Sequence, residues 1–79
     1  MATDYSPAEL KQIAQIGEDQ HVGLLTACGI HQDNARKIIA MSDDVLAQGI
    51  AAVEGRPNKT PAQEAMIAAG RRELTIRQA

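Results

Sequence analysis

Apolar residues recur along this chain with helical rather than alternating spacing, and the polar punctuation between them marks where helices begin and end. Ser6-Pro7-Ala8-Glu9 is a capping box with proline at the first helical position. The serine hydroxyl and the glutamate carboxylate each take an otherwise orphaned amide, and proline has no amide to leave unpaired. Leu10, Ile13 and Ala14 then mark a buried stripe. Gly17 and the Glu18-Asp19-Gln20 cluster can end this helix and start another. Gly17, His21, Leu24, Leu25 and Cys28 also continue the stripe closely enough for one long bent helix. Two helices are the preferred expectation. Gly29 followed by Ile30 fits a glycine carboxy-terminal cap with an apolar residue just beyond it.

From Gln32 to Ile39 a short helix buries Ala35, Ile38 and Ile39 and exposes Asp33, Asn34, Arg36 and Lys37. Ser42 is a good amino-terminal cap for the next helix, with Asp43 and Asp44 in the first turn, where the helix dipole favours negative charge. Val45, Leu46, Gly49, Ile50 and Val53 form its apolar stripe. Gly55-Arg56-Pro57-Asn58-Lys59 is a clear loop, and Thr60-Pro61-Ala62-Gln63 is a second capping box, opening a helix with Ala65, Met66 and Ala69 inward. After Gly70 the tail fits either continued helix or a short strand through Leu74, Thr75 and Ile76. The expected fold is all-α, a small bundle of four or five short helices with a helix-turn-helix at residues 32–54 and a possible short C-terminal strand. There are no internal repeats and no low-complexity tract.

Composition narrows this further. A chain of 79 residues is expected to form one domain over residues 1–79, and it buries only about 60% of its unfolded surface. Tyr5 is the sole aromatic, so aliphatic side chains supply nearly all of the core. Pairing through an apolar face is a natural way to add buried area, and a homodimer is expected. The single cysteine allows no intrachain disulfide and suits a reducing cytoplasm. The start MATDYSPAEL lacks the basic and apolar segments of a signal peptide, and no apolar run is long enough to span a membrane. A cytoplasmic protein with no membrane partner is expected. The net charge of −2 hides an asymmetry: residues 1–54 carry three cations against eight carboxylates, and residues 55–79 carry five against two.

The order Leu24-Leu25, Gly29-Ile30, Gln32, Ala35, Ile38-Ile39, Met41-Ser42 and Val45-Leu46 resembles the helix-turn-helix core of the lambda-repressor and Cro-like family, over roughly residues 22–70. The resemblance implies a small DNA-binding transcriptional regulator of the phage or plasmid type, acting on double-stranded DNA. Gln32, Ser42 and Gln48 would then lie nearest the bases, with Arg36, Lys37, Arg56 and Lys59 on phosphates. Three departures from the pattern matter. Ala40 stands where the family has a turn glycine in the left-handed conformation, at a cost of about 1 kcal/mol. The small buried residue of the second helix falls at or beside Arg36. The exposed face of residues 43–54 is Asp43, Asp44, Ala47, Gln48, Ala51 and Glu54, with no cation to meet a polyanion. The DNA-binding regulator stays the first expectation, and these departures keep an alternative open beside it: a non-enzymatic protein-binding module on the same scaffold. It would dock a basic protein partner through Asp43, Asp44, Ala47 and Gln48, or through an apolar helix surface. A small phage-encoded inhibitor of a host system, of the anti-CRISPR kind, has this character.

Other chemistry is sparse. Arg71 and Arg72 with Arg56 and Lys59 could form an electropositive patch, or could simply complement a helix dipole. Cys28, His31 and His21 lie close in sequence, but one cysteine and two histidines fall short of a structural zinc set, and Cys28 falls on an apolar stripe. No phosphate-binding glycine loop or nucleophile-elbow motif is present. No enzyme activity, metal or cofactor is expected.

Overall fold

The computed structural model describes residues 5–79; Asp4, counted above in the acidic half, and the first residues of the segment compared with a signal peptide lie outside them. Five helices follow in order: α1 (Pro7–Ile16), α2 (Glu18–Thr26), α3 (Gln32–Ala40), α4 (Asp43–Glu54) and α5 (Pro61–Gln78). No strand occurs among the described residues, and the molecule is a small all-α bundle. No helix is long and apolar enough to cross a membrane.

Local chemistry accounts for most boundaries. Both capping boxes close: the Ser6 amide donates to Glu9 Oε1 at 3.0 Å and the Glu9 amide to Ser6 Oγ at 3.2 Å, and Thr60 with Gln63 repeats the arrangement at 2.9 and 3.2 Å. The Ser6 amide, and after it the Ser6 hydroxyl, hold the Glu9 carboxyl below its usual pKa. Gly17 is extended, with φ 172°, and interrupts the helix for one residue, so residues 7–26 form two helices. Gly29 has φ 104° and reverses the chain before α3, as its cap role requires. His31 caps α3, its Nδ1 accepting from the Asp33 amide at 3.1 Å, and Ser42 caps α4 by accepting from Val45 at 3.3 Å.

Two expectations need correction. The tail after Gly70 is helix throughout, so the possible strand at residues 73–77 does not form. The helical register there sets Ala69, Gly70, Glu73 and Ile76 on one buried side and lets Glu73 reach Arg77 one turn on. The α3–α4 connection also differs from a glycine-type turn. Ala40 stays helical, Met41 and Ser42 are both extended, and no residue of the junction has positive φ. Ala40 therefore carries no left-handed strain.

The core forms in two parts. Val22, Leu25, Ala35, Ile38, Leu46, Ile50 and Ala69 join α2, α3, α4 and α5. Leu10, Leu24 and Ile76 close α1 and α2 over the far end of α5. Helix α5 is thus the common partner of the other four. Gly70 permits its approach to α4: a Cβ at this position would lie 2.9 Å from two side-chain carbons of Ile50. Val45 and Gly49, expected on the buried stripe of α4, are exposed, Val45 by 53%. Helix α5 packs on the side of α4 that carries Leu46 and Ile50, and leaves the neighbouring side with Val45 and Gly49 exposed.

Candidate functional site

The junction between α3 and α4 is held by the carboxy-terminal helix. Arg77 donates from Nη2 to the carbonyls of Ile38 and Ile39 at 3.3 and 3.1 Å near the end of α3, where the Ile38 carbonyl also accepts the Met41 amide at 3.1 Å. Its Nη1 reaches Asp43 Oδ1 at 2.7 Å, at the start of α4, and its Nε reaches Glu73 Oε2 at 2.7 Å. Glu73 is 2% exposed, and its other oxygen lies 2.5 Å from His21 Nε2. The planar guanidinium suits this four-way role, because its donors leave in fixed directions. Burial would lower the Arg77 pKa, but the hydrogen bonds and charges of Asp43 and Glu73 outweigh it and hold the pKa above its ordinary value. The chain of His21, Glu73, Arg77 and Asp43 ties α2, α5, α3 and α4 together. Its sequence signal was a carboxylate on the apolar stripe of Ala69 and Ile76 with an arginine four residues later, visible only if the tail is read as helix.

This network changes the account of the carboxy-terminal cations. Arg71 pairs with Glu54, Arg72 donates to the Leu24 carbonyl at 3.0 Å, and Arg77 is absorbed at the turn. Arg71 and Arg72 therefore do not join Arg56 and Lys59 in an open electropositive patch. Arg56 is exposed and Lys59 half-buried, and both lie on the loop between α4 and α5 without a carboxylate partner among the described residues. On α3, Arg36 faces outward and stands 3.8 and 3.9 Å from Asp33 and Glu18, while the small buried residue is its neighbour Ala35. Lys37 is exposed and has no carboxylate partner among the described residues.

The outward strip of α4 consists of Asp44, Ala47, Gln48 and Ala51, all exposed and spaced at i, i+3, i+4 and i+7. It contains no cation. Asp43, although exposed, is half of an ion pair, so Asp44 carries the unopposed charge at the helix tip. Gln32 is exposed at the first position of α3, and the Ser42 oxygen already accepts the cap hydrogen bond.

An apolar groove lies beside this strip, where α3, α4 and α5 converge, with a volume of about 190 Å³. Ile38 and Met41 form one wall, and Leu46, Gly49, Ile50 and Val53 another. Met66, Ile67 and Gly70 of α5 complete it, and its only polar lining residues are Asn34 and Lys37. The remaining candidates are engaged elsewhere: His21 on Glu73, His31 at its cap, and Cys28, half-buried against the larger core cluster with its Sγ 3.8 Å from the Leu24 carbonyl. Comparison of the chain with protein-family models, curated proteins and solved structures finds no match.

Proposed function

We propose that this protein is a non-enzymatic protein-binding module that docks a basic partner on the outward strip of α4. The observation that carries this is the cation-free strip of Asp44, Ala47, Gln48 and Ala51 in the position where a DNA-reading helix needs phosphate contacts. Small side chains make the strip flat enough for close approach, and Asp44 supplies a charge for orientation and encounter rate. The internal pairing of Arg71 and Arg77 supports the same reading, because it removes two cations from those open to a nucleic acid.

A second reading, a DNA-binding regulator, is favoured by Lys37, Arg56 and Lys59, which have no carboxylate partners among the described residues. Fluorescence anisotropy against a pooled random duplex at low salt separates the two. The protein-binding reading expects no association at protein concentrations of about 100 μM, where a non-specific DNA binder is at least partly bound. Association that weakens steeply with salt, and whose salt slope falls by about one in Lys37→Ala, would establish the DNA reading instead. In affinity capture from host extract, Asp44→Lys should abolish retention of the partner without moving the unfolding midpoint. Retention by that variant would exclude the α4 strip.

A further inference from the structure

Two features of the surface are left without partners by the fold. The first is the α3–α4–α5 groove. At about 190 Å³ it is somewhat larger than the ~150 Å³ of an apolar cavity that holds a benzene molecule, so it takes one branched or ring side chain. Gly49 lies in its wall, and a Cβ built there meets nothing within 4 Å. A mid-helix glycine costs roughly 0.5–1 kcal/mol relative to alanine, and no neighbour within the chain requires this one. Lys37 is its only charged lining residue.

The second is Ile16, the most exposed large apolar side chain among the described residues at 70%. It ends α1 immediately before the side-chain-free Gly17, at the break between α1 and α2. Glu18 and Asp19 follow it, both exposed. Glu18 has only a 3.9 Å contact with Arg36, and Asp19 has no cation partner among the described residues. Single exposed aliphatics are ordinary. Here, however, one chain carries an unfilled apolar hole with a cationic rim and an unseated aliphatic knob with acidic neighbours.

We infer that the groove is a self-association site, and that it seats Ile16 of a second copy of this chain with Lys37 facing the carboxylates of Glu18 and Asp19. A two-fold pair satisfies both seats at once, since each copy offers the same knob and the same hole. The open position over Gly49 lets the incoming chain approach α4 closely. The outward strip of α4 is a separate surface, so this inference does not depend on which ligand that strip takes.

Sedimentation equilibrium of the full chain, from about 10 μM to about 1 mM, tests it. The mass should rise with concentration toward that of two chains. Gly49→Leu fills the hole from within, and Ile16→Asp removes the knob. Each variant alone should remain a single chain, with an unchanged helical circular dichroism spectrum. Mixed in equal amounts they form one of the two seats, because the first retains a knob and the second a hole, so they should associate more weakly than the native chain. Lys37→Glu should weaken association about threefold, and adding Asp19→Lys to it should restore the native value. A native protein that stays a single chain up to about 1 mM would overturn the inference. So would Gly49→Leu, or the mixture with its single seat, associating as tightly as the native chain.

Discussion

Helices α3, α4 and α5 meet twice, and the two meetings are built on opposite principles. At the start of α4 the contact is polar and closed: Arg77 bridges the last carbonyls of α3, the Asp43 carboxylate and the buried Glu73. Along the middle of α4 it is apolar and open, a groove with Gly49 in one wall and Met66 and Ile67 in another. The difference lies in what α5 presents at each level. Its later turns carry a long side chain with several donors, able to span the gap between three elements. Its earlier turns carry Gly70, which draws α5 against Ile50, and medium apolar side chains that leave the space above Gly49 unfilled. The first meeting ties the end of α3 to the start of α4, and the second leaves an apolar surface open.

Substitutions break or sharpen this contrast in decreasing order of effect. Glu73→Ala should be the most damaging, because it leaves Arg77 and His21 without their shared buried acceptor; a loss of about 3 kcal/mol is expected in urea unfolding. Arg77→Lys keeps the charge but cannot serve Asp43, Glu73 and both α3 carbonyls at once, and should cost about 1–2 kcal/mol by the same measurement.

The paired substitutions Gly70→Ala and Gly49→Ala compare the two faces directly. Gly70→Ala should destabilise by about 1 kcal/mol, since its Cβ meets Ile50 at 2.9 Å and overpacking outweighs helix propensity. Gly49→Ala gains propensity with no contact to oppose it and should stabilise by about 0.5–1 kcal/mol. Equal effects of the two would mean that the groove and the α4–α5 contact are packed alike.

The smallest effect lies far from both meetings, at the α1 cap. The Glu9 carboxyl has a lowered folded pKa, so its contribution is complete above the unfolded value near 4.5 and is lost as pH falls through the folded value. Amide exchange in the first turn of α1 should quicken over that acid interval, and Glu9→Gln should remove the dependence.

Much of the local structure was legible in the sequence. Ser6 with Glu9, Thr60 with Gln63, Ser42 and Gly29 each act through atoms a few residues away, so their spacing alone predicts the helix ends they form. The buried positions Leu10, Leu25, Ile38 and Leu46 followed equally from helical periodicity. The candidate site was less legible. The solvent-facing placement of Asp44, Ala47 and Gln48 follows from the register of α4, but the removal of Asp43 from the free charges depends on Arg77, 34 residues later. The apparent basic patch at Arg71 and Arg72 failed for the same reason: charge counting cannot see which carboxylate or carbonyl the fold places beside each cation.

By itself, then, the sequence determined a mainly helical chain, where α1, α3, α4 and α5 begin, and most of the positions they bury, because caps and periodicity are short-range and nearly independent of context. Only the tertiary structure decided that the tail is helical through Gln78, that an arginine rather than a glycine holds the α3–α4 turn, and that an apolar groove stays open beside α4. Each of these depends on the distance between side chains remote in sequence, and that distance is set by how closely α5 packs against its neighbours.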